Sequence, residues 1–184
     1  MKPFYVREFA SATHCSALAR WITEHLHCPF FRDANMKGNR LTTRYSHDGF
    51  QFPKESYELQ SSIASSIAEF NVRPIPFKDG MVASCAYPGD TCYRHVDPVW
   101  HESTITVHCN MIVSPPDSGG DVVIDEDVYQ MPMGDLICYP VSHLPHEVNL
   151  VQGFNPRLMW VWGFCLSRSS SWDALRQSLE RIKQ

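Results

Sequence analysis

Between Met81 and Cys165 the chain never runs far before a turn residue stops it. Short segments of alternating or β-rich sequence succeed one another: Met81–Tyr87, Thr91–Asp97, Thr104–Val113, Val122–Ile124, Gly134–Tyr139, His146–Val151 and Arg157–Cys165. Pro88-Gly89, the run Pro115-Pro116-Asp117-Ser118-Gly119-Gly120 and Gly153-Phe154-Asn155-Pro156 lie between them. Proline fixes φ and glycine opens positive φ, so these residues break extended chain at defined points. Many short strands with such punctuation predict a sandwich or barrel.

Helical spacing appears only outside that stretch. After a short expected strand at Tyr5 to Phe9, Ser11 or Thr13 can cap a helix carrying Leu18, Trp21, Ile22 and Leu26 on one face. Cys28 to Pro53 reads as irregular, and a second helix follows Lys54 with Leu59, Ile63, Ile67 and Phe70. Pro74 and Pro76 end it. A closing helix bears Trp172, Leu175, Leu179 and Ile182. The expected fold is mostly β with flanking α-helices, a double-stranded β-helix or cupin-like jelly roll. Residues 1–184 are expected to form a single domain: 1–80 as helical support and substrate-side segment, 81–165 as β-core, 166–184 as C-terminal helix.

Composition narrows the function classes. An apolar share of 43% with 12% aromatics suits a globular core. A net charge of −4 offers no electrostatic footprint for nucleic acid. No run of about 18 apolar residues exists for a membrane span, and the N-terminus lacks the apolar region of a signal peptide. The cysteines at 15, 28, 85, 92, 109, 138 and 165 form an odd set without a C-x-x-C pair. That pattern predicts reduced thiols and a cytoplasmic location.

Chemistry concentrates at His95 and Asp97. Residues two apart on an extended strand share a face, so this imidazole and carboxylate can reach one metal ion. Alone, such a pair equally suits a hydrogen-bonded strand end. His146, in Leu144-Pro145-His146-Glu147-Val148, can supply a second imidazole, with His143 competing for that role. Two histidines and one carboxylate on one face, with other positions open, select ferrous iron for oxygen chemistry. No Ser-His-Asp or Cys-His set for nucleophilic catalysis accompanies them. His101 and His108 read as structural or surface residues. Trp160 and Trp162 are at odd offsets from Arg157, so a regular strand turns them away from it.

Met81-Val-Ala-Ser-Cys-Ala-Tyr-Pro-Gly89, Tyr93-Arg-His-Val-Asp97, Gly119-Gly120 and Pro145-His-Glu-Val148 occur in that order. Together they resemble the 2-oxoglutarate/Fe(II)-dependent oxygenases, in particular their prolyl-4-hydroxylase-like branch, which includes the hypoxia-factor prolyl hydroxylases. The resemblance covers roughly residues 81–165. It implies that His95, Asp97 and His146 hold Fe(II). Arg157, eleven residues after His146, would anchor the distal carboxylate of the cosubstrate 2-oxoglutarate. A buried carboxylate needs a charged, hydrogen-bonding partner, and arginine offers a planar bidentate fork. Tyr87 resembles the tyrosine lining the cosubstrate pocket. Where the prolyl hydroxylases carry a tyrosine on the strand after the aspartate, this chain offers Asn110, Met111 or Ile112, and Asn110 can hydrogen-bond the same acid. The implied reaction consumes O2 and 2-oxoglutarate, releases succinate and CO2, and hydroxylates or otherwise oxidises an unactivated C–H bond. Radical halogenases of the superfamily replace the carboxylate ligand with a small residue, so Asp97 points to hydroxylation.

The substrate side is expected in the polar stretch Asn39–Ser46 and the turn Asp97–Ser103. Arg40, Arg44 and Tyr45 can meet a carboxylate, Glu102 an amine, and Trp100 can form an apolar wall. That set suits an amino-acid-like small molecule. The resemblance to prolyl hydroxylases makes a prolyl or other side chain of a protein or peptide the second expectation. A 2-oxo-acid-independent or non-catalytic metal-binding cupin, and an interaction module that keeps the fold without catalysis, are remoter ones.

Overall fold

An eleven-residue strand that is apolar on both faces must be covered on both, and the segment from Arg157 to Ser167 is such a strand. In the computed structural model, which describes all residues except 1, 34–39, 44–49, 71, 76, 101, 168–170 and 184, it lies in the middle of the larger sheet. Numbered along the chain, the strands are β1 (Phe4–Val6), β2 (Phe31–Asp33), β3 (Leu41–Thr43), β4 (Arg73–Pro74), β5 (Met81–Ala86), β6 (Cys92–His95) and β7 (Thr104–Ser114). There follow β8 (Ser118–Gly119), β9 (Val122–Ile124), β10 (Asp127–Tyr129), β11 (Leu136–Tyr139), β12 (His146–Val148), β13 (Val151–Gln152) and β14 (Arg157–Ser167). The helices are α1 (Ala12–His25), α2 (Lys54–Ser66) and α3 (Trp172–Leu179).

The larger sheet runs β1-β11-β7-β14-β5-β3-β2, with β4 also on β14. The smaller sheet runs β10-β9-β12-β6, and β13 pairs with β8. Every described pairing is antiparallel. Because side chains alternate along a strand, β14 divides its residues between two cores. Met159 and Val161 join Ile112, Ile137 and Tyr139 from the larger sheet and Val122 and Ile124 from the smaller one, filling the space between the sheets. Leu158, Trp160, Trp162 and Phe164 join Leu18, Trp21, Ile63 and Leu175 from the helices on the outer face. The fold is a jelly roll with helices against the larger sheet, as the sequence predicts.

The helices follow their sequence signals closely. Ser11 caps α1, its side chain accepting from the His14 N–H, which satisfies a donor the helix start leaves open. Cys15, Leu18, Trp21 and Ile22 are the buried face of α1. Trp21 meets Trp160 edge-on at 5.6 Å and Phe52 at 5.3 Å. On α2, Leu59 and Ile63 are buried, and the Trp162 indole N–H donates to the Ser56 carbonyl at 3.0 Å. Each large apolar side chain so covered contributes about 1.5–3 kcal/mol. Ser171 caps α3 through the Ala174 N–H.

Three expectations change. The segment Cys28 to Pro53 is not wholly irregular: β2 and β3 pair with each other, and β3 pairs with β5 through Leu41↔Cys85 and Thr42↔Ser84. Strands of three residues carry too little periodicity to be read; their backbone pairing and the buried Phe31 stabilise them. The expected strand His146–Val151 is split, because Asn149 and Leu150 bond to the loop that starts β9, Asn149 N–H to Asp121 O and Gly120 N–H to Leu150 O. The expected initial strand ends at Val6, before Phe9.

Candidate metal centre

His95 ends β6, and His146 begins β12, directly opposite it in register. The Asp97 N–H, just past the strand, donates to the Val141 carbonyl at 2.9 Å and so fixes the backbone from which the carboxylate projects. The two imidazole centroids are 4.3 Å apart. His95 Nε2 lies 3.6 Å from Asp97 Oδ1, and His146 Nε2 lies 3.8 Å from Asp97 Oδ2. Each ring is turned by its other nitrogen. His95 Nδ1 bonds the Tyr93 carbonyl at 2.6 Å, and His146 Nδ1 bonds the Leu144 carbonyl at 3.1 Å. A carbonyl only accepts, so both Nδ1 atoms carry a proton and both Nε2 atoms face Asp97.

This donor set fits a divalent first-row ion. Ligand atoms from His95, Asp97 and His146 all fall within 4.8 Å of one another. Atoms sharing an ion at bond lengths of ~2.1 Å are separated by at most about 4.2 Å, so 3.6 and 3.8 Å already meet the requirement. Burial opposes charge on His95, but hydrogen bonds to Asp97, Cys92 and the Tyr93 carbonyl outweigh it and raise its pKa to about 9. Burial pushes His146 down to about 4, partly opposed by the Asp97 charge. A metal ion bound here would displace any Nε2 proton, since imidazole binds metal only when deprotonated.

Two residues that sequence reasoning passed over belong to this centre. His108, on β7, puts Nδ1 3.6 Å from Asp97 Oδ2. Tyr139, on β11, is buried, stands edge-on to the His146 ring at 5.2 Å, and accepts from Asn110 Nδ2 at 3.0 Å. Burial, then the Asp97 charge, holds its phenol well above the ordinary tyrosine range. Parity was the available signal. His108 and Asn110 are two apart on one strand, so a site at Asn110 also faces His108.

Arg157 opens β14 on the inward face and is 2% exposed. One terminal nitrogen reaches Met159 Sδ at 3.4 Å, while Nε is buried without a partner. Burial, then the Arg40 charge, lowers its pKa to about 10. Asn110 Oδ1 is likewise buried and unpartnered. Buried polar atoms are rarely left so in native proteins, and an anion bound beside Arg157 would satisfy its Nε. Arg157 also lines a cavity of about 450 Å³ together with Gly120, Tyr129 and Met131.

The remaining sequence-predicted residues scatter. Tyr87 is not brought to Arg157; it is 43% exposed and its hydroxyl lies by the Cys85 thiol, on the outer face of β5. Arg40 precedes β3, half-buried, with Nε unpartnered. Trp100 stacks edge-on against Phe77 at 5.9 Å. Arg44, Tyr45 and Asn39 lie outside the described residues, as does His101. Glu102 is exposed. His143 bonds Ser142 at 2.9 Å and is absent from the three-residue cluster. Trp160 and Trp162 face the helices, as the alternation predicts.

No protein-family model matches the chain, and no curated protein matches it in sequence. Solved structures do match in fold. A prolyl-4-hydroxylase from Pseudomonas putida superposes with a TM-score of 0.66 at 16% identity, covering 90% of this chain and 92% of that one. A Trichoplax adhaerens prolyl hydroxylase, solved with a hypoxia-inducible-factor peptide fragment, gives 0.64 at 12% identity, covering 95% and 86%. A viral collagen prolyl hydroxylase from Paramecium bursaria Chlorella virus-1, in a 2-oxoglutarate complex, gives 0.61 at 11% identity, covering 91% and 96%. The likeness to prolyl-4-hydroxylases carried by a few motifs in the sequence thus extends to the fold of nearly the whole chain.

Proposed function

We propose that the protein is an Fe(II)- and 2-oxoglutarate-dependent dioxygenase that hydroxylates, or otherwise oxidises, an unactivated C–H bond of an amino-acid-like small molecule. The observation that carries this reading is the convergence of His95 Nε2, His146 Nε2 and Asp97 on one point inside a jelly roll. Bound there with 2-oxoglutarate, Fe(II) would supply the activation of O2, with succinate and CO2 as co-products. The chain supplies position and dryness. The Tyr93 and Leu144 carbonyls hold the imidazole tautomers, and Asp97, with His108 beside it, holds the negative charge. Arg157 gives the distal carboxylate a buried cation, and Tyr139 and Asn110 give it hydrogen-bonding neighbours. The apolar layer between the sheets keeps water from the reacting centre. We read residues 1–184 as one catalytic unit, supported by an outer core that runs from Phe4 to Leu179. The seven free thiols support a reducing, cytoplasmic setting, and no described helix is long and apolar enough to cross a membrane.

For the substrate side, Trp100 and the basic sequence around β3, with Arg44 and Tyr45, support a small carboxylate-bearing molecule. One observation favours a second reading, a prolyl or other side chain within a peptide. Tyr93, Val96 and Val99, next to the ligands, are 57%, 48% and 40% exposed, an apolar rim that a longer substrate would cover. Succinate release on Fe(II) and 2-oxoglutarate, assayed across free amino acids and proline-containing peptides, separates the two. Turnover with peptides alone, giving hydroxyproline, establishes the second. His95→Ala, Asp97→Ala and His146→Ala should each abolish turnover and lower metal occupancy, whereas His143→Ala should largely spare both. Full metal occupancy in any of the three ligand variants overturns the assignment.

A further inference from the structure

Arg157 pairs with Ala86, and Leu41 with Cys85, so continuing the β3–β5 register by one residue sets Arg40 opposite Ala86. Arg40, Ala86 and Arg157 therefore form one row across the sheet. Residues directly opposite one another share a face, which for this row is the inward one, because Arg157 alternates with the outward Leu158. The small, buried Ala86 between them leaves space above it. Two strand spacings separate the arginine backbones by roughly 10 Å, a gap that two extended guanidinium side chains close over one anion.

The electrostatics agree with this placement. Arg40 is close enough to depress the Arg157 pKa, and it also counteracts the rise at the Tyr139 phenol. Both guanidiniums keep a buried, unpartnered Nε. Like charges facing one enclosed space are destabilising unless an anion lies between them. No described acidic side chain forms an ion pair with either arginine. Arg94, by contrast, is committed to Glu126 at 2.8 Å and Glu147 at 3.8 Å.

We infer that Arg40 is a second cosubstrate anchor, closing with Arg157 over Ala86 on the distal carboxylate of a 2-oxo dicarboxylic acid. This inference rests on the oxygenase reading, and it reassigns Arg40 from the substrate to the cosubstrate. It makes the β2–β3 hairpin part of the cosubstrate site, so that binding of the acid ties this edge of the sheet to β14. It also gives the site a strong preference for a second carboxylate. A 2-oxo acid of equal length without that group would leave the two guanidinium groups facing each other with no anion between them.

Binding measured without turnover tests it. The Mn(II)-loaded protein is titrated calorimetrically with 2-oxoglutarate and with 2-oxopentanoate, its monocarboxylate counterpart of equal chain length. Arg40→Leu should weaken 2-oxoglutarate binding about ten- to hundredfold, the loss of one charge-assisted contact, and leave 2-oxopentanoate and Mn(II) affinity unchanged. Arg40→Lys should recover part of the loss, which a merely structural role would not predict. Unchanged 2-oxoglutarate affinity in Arg40→Leu overturns the inference while the wild type's binding upholds the oxygenase reading. Equal weakening of both acids also overturns it, as a sign of general disturbance. A wild-type protein that binds Mn(II) but not 2-oxoglutarate overturns the reading and the inference together.

Discussion

Replacing Gly120 with alanine tests whether the Arg157 guanidinium is held by the packing of its stem. Gly120 has φ +68, a region where an L-residue costs about 1–2 kcal/mol. Its new Cβ would lie 2.9 Å from Arg157 Cδ and 3.1 Å from Pro116 Cγ. The arginine is fully buried, so its stem must shift into packed surroundings, and overpacking of this kind costs about 1–3 kcal/mol. Gly89 is the control. It too has positive φ, +93, but nothing lies within 4 Å of the added Cβ. Gly89→Ala should therefore lose only the backbone contribution, about 1–2 kcal/mol, and Gly120→Ala roughly 2–5 kcal/mol in all. Urea denaturation reads the difference. In calorimetric titration, Gly120→Ala should also bind 2-oxoglutarate at least about tenfold more weakly, because a displaced fork loses one of its two contacts. Gly89→Ala should bind it normally. Equal stability and equal 2-oxoglutarate affinity in the two variants would refute the reasoning.

Trp162→Phe removes the indole donor to Ser56 O and part of a buried ring, and should cost about 2–3 kcal/mol in urea denaturation. Asp135→Ala strands two donors, the Tyr5 hydroxyl and the Glu8 N–H, and should cost about 2–4 kcal/mol. A double-mutant cycle with Tyr5→Phe should show coupling above about 0.5 kcal/mol, and simple additivity would contradict the pairing. His108→Ala should lower metal affinity about 10- to 100-fold without a comparable loss of fold stability, measured by metal titration beside thermal unfolding.

The residues most legible in the sequence were those that obey a single period. Alternation along β14 separated Arg157 from Trp160 and Trp162 correctly, and the two-residue spacing of His95 and Asp97 survived into one cluster. Ser11 was readable as a cap because its chemistry is local. What escaped depends on partners far away in the chain. Leu41-Thr42-Thr43 is a strand because β5, some forty residues later, offers it an edge. Tyr139 enters the centre because β12 presents His146 across the roll. Tyr87 was placed in the pocket by likeness to a motif, yet the strand ends at Ala86. The turn closed by Tyr87 N–H to Asp90 Oδ2 at 2.7 Å leaves its ring with Cys85.

The two-sided use of β14 limits how such a chain can vary in length. A single inserted or deleted residue early in Arg157–Ser167 would exchange the faces of all that follows. The indoles that root α1 and α2 would turn into the space between the sheets, and Met159 and Val161 would turn toward the helices. The outer core and the layer between the sheets would fail in one event, so no intermediate of this kind is available to selection. Length changes are instead tolerable where pairing is brief, as in the turn Gly153–Pro156 or beside the three-residue strands β2 and β3. Variation in chains of this architecture should therefore gather in such brief pairings, with the long strand kept in frame.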